Sequence, residues 1–118
     1  MNSNENPDEF FFKNNGTFQR ISQREIVYLN AEGRYTKIFV KGEERPVLLT
    51  KTLKDCESEL NRQFFYRAHY GCTINLAFVE KINTKKHDAV LTTGETVKIS
   101  RRRLKHLVEK WKNMYSKN

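Results

Sequence analysis

The sequence predicts a mainly β domain of antiparallel strands, with a short central helix and a helix at the C-terminus. Three observations lead there. Short runs rich in β-branched and aromatic residues, several of them alternating apolar with polar, recur along most of the chain between turns built on Asn, Gly and Glu-Gly. One stretch beginning at Thr52 spaces Leu53, Cys56 and Leu60 as one side of a helix. The last stretch, after Ser100, places Leu104, Leu107, Val108 and Trp111 at i, i+3, i+4 and i+7.

Residues 1–8 are polar and read as a disordered lead-in or linker end, which leaves 9–118 as one domain. Phe10 to Lys13 and Thr17 to Ile21 flank Asn14-Asn15-Gly16, so a first hairpin is expected. Glu25 to Ala31 reads as a strand buried on both faces. After the Glu32-Gly33 turn, Thr36, Ile38 and Val40 share one face, while Tyr35, Lys37, Phe39 and Lys41 share the other. Gly42-Glu43 turns the chain again into Arg45 to Thr50, where Pro46 argues for an edge position. These strands form an antiparallel meander.

Thr52 is the expected cap of the central helix, with Asp55 at its third position, and the helix should run about ten residues. Phe64 to Asn75 alternates aromatic with basic residues and bends at Gly71. Strands follow over Ala77 to Asn83, His87 to Thr92 and Glu95 to Ile99, with Thr93-Gly94 as a turn. The last of them feeds the C-terminal helix, whose N-cap is Ser100 with a side-chain oxygen for an orphan amide.

Charge narrows the partner. Among 118 residues, 22 Lys and Arg stand against 14 Asp and Glu, a net +8 that favours a polyanion, nucleic acid before an acidic membrane surface. The charge is uneven: Lys98 to Lys117 holds eight basic residues and only Glu109 in opposition, while the first sixteen residues carry a net −2. No apolar run is long enough to span a bilayer and no signal-peptide pattern occurs, so a cytoplasmic location is expected. Cys56 and Cys72 are then thiols, Cys56 a helix-core residue and Cys72 inert. Neither they nor His69, His87 and His106 have metal-ligand spacing, so no metal or cofactor is called for. No nucleophile elbow, P-loop or dinucleotide glycine pattern is present, and the acids are scattered, so no catalytic residue is assigned and an enzyme is the least supported class.

Basic and polar side chains fall on three connections, which is where strand-held binding residues tend to sit. The first is Gly33 with Arg34, Tyr35, Thr36 and Lys37; the second is Arg67, Ala68, His69, Tyr70 and Gly71. The third is Ser100 with Arg101, Arg102 and Arg103, joined by Lys105. A helix start carries about half a positive charge, so each added cation there costs about 0.3–1 kcal/mol. Three arginines in that position point to an anionic partner, since the guanidinium fork suits phosphate and the acceptor edge of guanine. The blander reading is a solvated basic face; for His69 a structural role in holding the backbone is the stronger one.

The order of these segments resembles the LytTR family of bacterial DNA-binding domains. Ile26-Val27-Tyr28-Leu29-Asn30-Ala31-Glu32-Gly33-Arg34-Tyr35 is similar to the family's opening, and Thr52-Leu53-Lys54 to its central helix start. Phe64-Phe65-Tyr66-Arg67-Ala68-His69 with Ile74-Asn75 resembles its middle signature. Leu91-Thr92-Thr93-Gly94-Glu95 and Ile99 to Leu104 resemble its closing hairpin and tail, so the likeness runs from about Phe10 to about Trp111.

The resemblance implies an elongated antiparallel β fold whose loops, rather than a recognition helix, enter the grooves of double-stranded DNA. It implies promoter direct repeats, often two copies of the protein, bent DNA, and the response-regulator setting of bacterial two-component systems. By position it places the first base-reading loop on Arg34, Tyr35, Thr36 and Lys37. The middle contact falls on Tyr70, and the last major-groove arginine on Arg102, flanked by Ser100 and Arg101. Phosphate contacts fall near Thr52 and Lys54. Where the family commonly has Arg or Asn followed by Ser, this chain has Tyr70-Gly71. A phenol donates one hydrogen bond or stacks but carries no charge, which predicts a different sequence preference. Family members often follow a receiver domain, for which 118 residues leave no room beside the DNA-binding region. Competing classes are an RNA or single-strand binding module, in which exposed aromatics stack on bases, and a protein-interaction domain with a basic tail.

Overall fold

The computed structural model describes residues 8–116; of the lead-in expected over 1–8, residues 1–7 lie outside them. Strands β1 (Glu9–Asn14) and β2 (Thr17–Ser22) form the first hairpin as a separate two-stranded sheet. Asn15 at φ 51° and Gly16 at φ 79° supply the left-handed pair that a two-residue turn demands.

The main sheet has the order β5-β4-β3-β7-β6, all antiparallel, with β3 (Ile26–Glu32), β4 (Tyr35–Val40), β5 (Val47–Leu49), β6 (Phe65–His69) and β7 (Cys72–Asn75). Strand β5 after Pro46 is an edge, as a residue without an N–H requires. A third sheet joins β8 (Val79–Asn83), β9 (Asp88–Leu91) and β10 (Thr96–Lys98) in the order β10-β9-β8. Helix α1 (Leu53–Glu57) links β5 to β6, and α2 (Arg101–Tyr115) ends the fold. The described residues measure 45 × 39 × 25 Å, a flattened slab.

The centre of the main sheet, β3 with β7, is buried on both faces, while the outer face of β4 and β5 carries the exposed Tyr35 and Leu48. A bulge between Ile26 and Tyr28 re-phases β3, so that Ile26 and Leu29 enter one core while Val27 and Tyr28 face the other. The first core holds Phe10 and Phe12 of the hairpin with Ile38, Leu53, Cys56 and Leu60. The second packs Leu107, Leu104 and Trp111 of α2 against Ile74, Leu76 and Leu91. Trp111 Nε1 also donates to the Val79 carbonyl at 3.2 Å. No helix among the described residues is long and apolar enough to cross a membrane.

Four local expectations need correction. Helix α1 has five residues rather than about ten. From Glu59 the backbone tightens to i−3 bonds, Glu59 N to Cys56 O and Leu60 N to Glu57 O, which end the helix yet keep Leu60 in the core. The buried Gln23 secures that exit, donating to the Glu59 carbonyl at 3.1 Å and accepting from Asn61 N at 2.8 Å.

The strand expected from Ala77 starts at Val79. The Asn75 side chain accepts from Ala77 N at 2.9 Å and winds Leu76–Phe78 into a 3-10 turn. The strand expected from His87 starts at Asp88, because His87 sits at φ 58°. Ser100 has the extended backbone of an N-cap, but its hydroxyl makes no capping bond and is buried without a partner.

Candidate nucleic-acid interface

Antiparallel order decides which connections meet. β3 ends, β4 begins, β5 ends, β7 begins and β6 ends at one end of the main sheet. The Gly33–Arg34 turn, the Thr50–Thr52 segment and the Tyr70–Gly71 turn therefore share that end. Backbone bonds tie them: Ala31 N donates to Gly71 O at 2.9 Å, and Thr36 Oγ1 to Lys51 O at 2.7 Å. Ser100 N donates to Ala68 O at 2.8 Å, which brings the start of α2 to the same place. The three connections singled out in the sequence thus converge, although 66 positions separate Arg34 from Ser100.

Side chains there divide into presented and engaged ones. Arg34, Arg101, Arg102 and Lys105 are exposed, and Tyr70 is 88 % exposed at the tip of its turn. Tyr35 is 45 % exposed. Thr36, by contrast, is fully buried with its hydroxyl on the Lys51 carbonyl. Lys37 pairs with Glu32 at 2.7 Å. Thr52 Oγ1 accepts from Asp55 N at 3.1 Å as the α1 cap, and Lys54 stands exposed beside it.

Arg67 is turned inward. Its Nε and Nη2 grip Glu57 at 2.7 and 2.8 Å, and its Nη1 donates to the Tyr70 carbonyl at 2.9 Å, bracing the turn that carries Tyr70. Thr73 Oγ1 adds a 2.5 Å bond to Glu57. Burial by itself would raise the Glu57 carboxyl, but the bonds from Arg67 and Thr73 and the charges of Arg67 and Arg103 hold it below its ordinary range. His69 Nδ1 accepts from Gly71 N at 3.1 Å. Burial, then the Arg67 charge, lowers the His69 pKa and keeps the ring neutral for that acceptor role. A Cβ at Gly71 would meet the His69 ring in ordinary van der Waals contact, with Cε1 at 3.4 Å.

Arg103 departs from its two neighbours: it is half-buried and lines a cleft against Glu57 and Tyr66 instead of facing the loop end. Sequence reasoning missed Lys85 and Lys86. Both are exposed in the β8–β9 turn, where Asn83 Oδ1 accepts from each of their amides at 2.9 Å. Ile99 N donates to His87 O at 2.9 Å, so this turn lies against the start of α2. The readable signal was Asn-Thr-Lys-Lys, an Asx turn bearing two cations.

The surface suits anion recognition rather than covalent chemistry. Among the described residues no group of His, Cys, Asp and Glu converges to hold a metal. Burial pushes the Cys72 thiol up to about 12, which leaves it a packing residue. What is presented is a set of guanidinium and ammonium donors on turns held by the sheet, with two exposed phenols, Tyr35 and Tyr70, among them.

Comparison with known proteins agrees. The family model of the LytTr DNA-binding domain matches residues 16–112, and the chain belongs to that family of DNA-binding, transcription-regulating domains, which is not an enzyme family. Among solved structures it is similar to the LytTr DNA-binding domain of a Bacillus cereus protein described as a methyl-accepting/DNA response regulator. The two are 19 % identical with a TM-score of 0.71, over 87 % of this chain and 95 % of that one. No curated protein sequence matches the chain.

Proposed function

We propose that this chain is a sequence-specific regulator that reads double-stranded promoter DNA through turns laid into successive grooves. Two copies occupy direct repeats, in the manner of a response-regulator output domain acting in the bacterial cytoplasm. The carrying observation is the convergence of the Gly33–Arg34 turn, the Tyr70–Gly71 turn and the Ser100–Arg102 segment at one end of the main sheet. Arg102 reads a base edge, with guanine O6 and N7 as the match for its fork. Arg34, Arg101, Lys54 and Lys105 neutralise phosphate, with Tyr35 and Tyr70 stacking or donating at the groove edge. Arg67, His69, Thr36, Thr52 and Ser100 hold the reading turns in place, and Lys37 supplies charge beside them. The binding domain is 9–118, with 1–8 as its lead-in.

The test is selection of bound sites from random duplex DNA, followed by competition of the best site against single-stranded RNA. Enrichment of a repeated motif that outcompetes RNA supports the reading. Preference for the single strand replaces it with an RNA-binding module. Failure to retain either nucleic acid replaces it with a protein-interaction domain.

A further inference from the structure

A second concave feature lies between α1, β6 and α2. It is a cleft of about 520 Å³, within the size range of small-ligand sites. Helix α2 sends Arg103, His106 and Lys110 into it from one face, at i, i+3 and i+7. Lys54 of α1 and Arg62 of the following loop stand opposite. Glu57 is the one carboxylate in its lining, and it is paired with Arg67. None of Lys54, Arg62 and Lys110 has an ion-pair partner among the described residues. Arg103 shares the Glu57 charge with Arg67, and Lys54, Arg62 and Lys110 have no carboxylate of their own in the lining, so the hollow keeps a net positive charge that an anion would offset.

The floor is not purely polar. Leu60, Phe65 and Tyr66 contribute apolar and ring surface, and the Tyr66 hydroxyl is fixed on His106 Nδ1 at 2.7 Å. A duplex presents a convex backbone too broad to enter such a hollow, whereas a phosphorylated ligand with a planar or apolar body would fill it. We propose that this cleft binds a mononucleotide-sized phosphorylated anion, its phosphates held by Arg62, Arg103 and Lys110 and its body laid against Tyr66. The site adjoins the exposed reading turns, sharing Lys54 with them and meeting them at the Arg101–Arg103 turn of α2.

The experiment uses the whole chain, isotope-labelled for NMR, at fixed ionic strength and without DNA, so its outcome is independent of the duplex-binding reading. ADP, pyrophosphate and adenosine are titrated in turn. ADP should produce saturable shifts at the amides of Arg62, Tyr66, Arg103 and His106; pyrophosphate should move the same set more weakly, and adenosine should move none. Arg62→Gln and Lys110→Gln should each weaken ADP by about tenfold, the factor for one charge-assisted hydrogen bond. Arg62→Lys should recover part of it, and Arg45→Gln, exposed at the opposite end of the main sheet, should change nothing. Thermal melts of each variant check that the fold is kept. The proposal is overturned if the shifts do not saturate, if they centre on Arg34, Arg101 and Lys85, if adenosine matches ADP, or if Arg45→Gln weakens ADP as much as Arg62→Gln.

Discussion

Replacing Glu57 by Gln tests how the reading turn is braced. The native carboxylate accepts two bonds from Arg67 and one from Thr73, and the Arg67 and Glu57 side chains retain only 21 % and 28 % of their exposure. Gln keeps the shape but faces the Arg67 donors with an NH₂ and no charge, leaving a half-buried guanidinium unmatched. An exposed pair is worth about 0.2–1 kcal/mol and breaking a buried one costs about 3–5 kcal/mol; this intermediate pair should lose about 2 kcal/mol. For a domain of this length that is a fall of about 8 °C in Tm.

The pH dependence carries the same signature. Glu57 titrates below the ordinary glutamate range, so its contribution is fully present above that range and is lost as pH falls through the lower folded value. Melts of both proteins between neutral and acid pH should therefore converge toward the acid end, the native one losing more. Because Arg67 also holds the Tyr70 carbonyl, duplex affinity at neutral pH should drop with the variant. Equal Tm values at neutral pH, or acid limbs that stay parallel, would refute the account of the Arg67–Glu57–Thr73 network.

Arg102→Ala should cost roughly 1–3 kcal/mol on the best duplex and relax preference at one base position, whereas Arg101→Ala should weaken all sequences alike; full discrimination retained in the Arg102 variant removes it as the base reader. With about six phosphates neutralised, log affinity against log salt should fall with a slope near −5, and Lys85→Ala with Lys86→Ala should flatten it by about two units without moving Tm. A slope near zero removes the electrostatic footprint. Tyr70→Arg should tighten binding broadly by adding a phosphate or groove contact, since the tyrosine is 88 % exposed; if Tyr70→Ala abolishes binding and Tyr70→Arg also weakens it, Tyr70 is itself a specific reader.

Local pattern was enough for the elements. Alternation through Thr36, Ile38 and Val40, the Asn15-Gly16 turn, Pro46 at an edge strand and the Leu107-centred stripe of α2 each follow from a few neighbouring residues, because backbone preference and facing depend on short-range sterics and on period. The order of motifs was likewise enough to reveal the family, and Tyr70-Gly71 as its departure. Where elements end depended on partners far along the chain: α1 stops where Gln23, more than thirty residues upstream, takes the Glu59 carbonyl.

The division of labour among the basic residues was also beyond the sequence. Arg67, Arg101, Arg102 and Arg103 carry the same group, yet Arg67 is turned onto Glu57, Arg103 lines a cleft, and Arg101 and Arg102 stay exposed. That choice depends on which carboxylate the fold brings within reach, and Coulomb attraction is decided by distance in space rather than along the chain. The placing of Lys85 and Lys86 beside the start of α2 has the same origin, a backbone bond from Ile99 to His87 that no local pattern encodes.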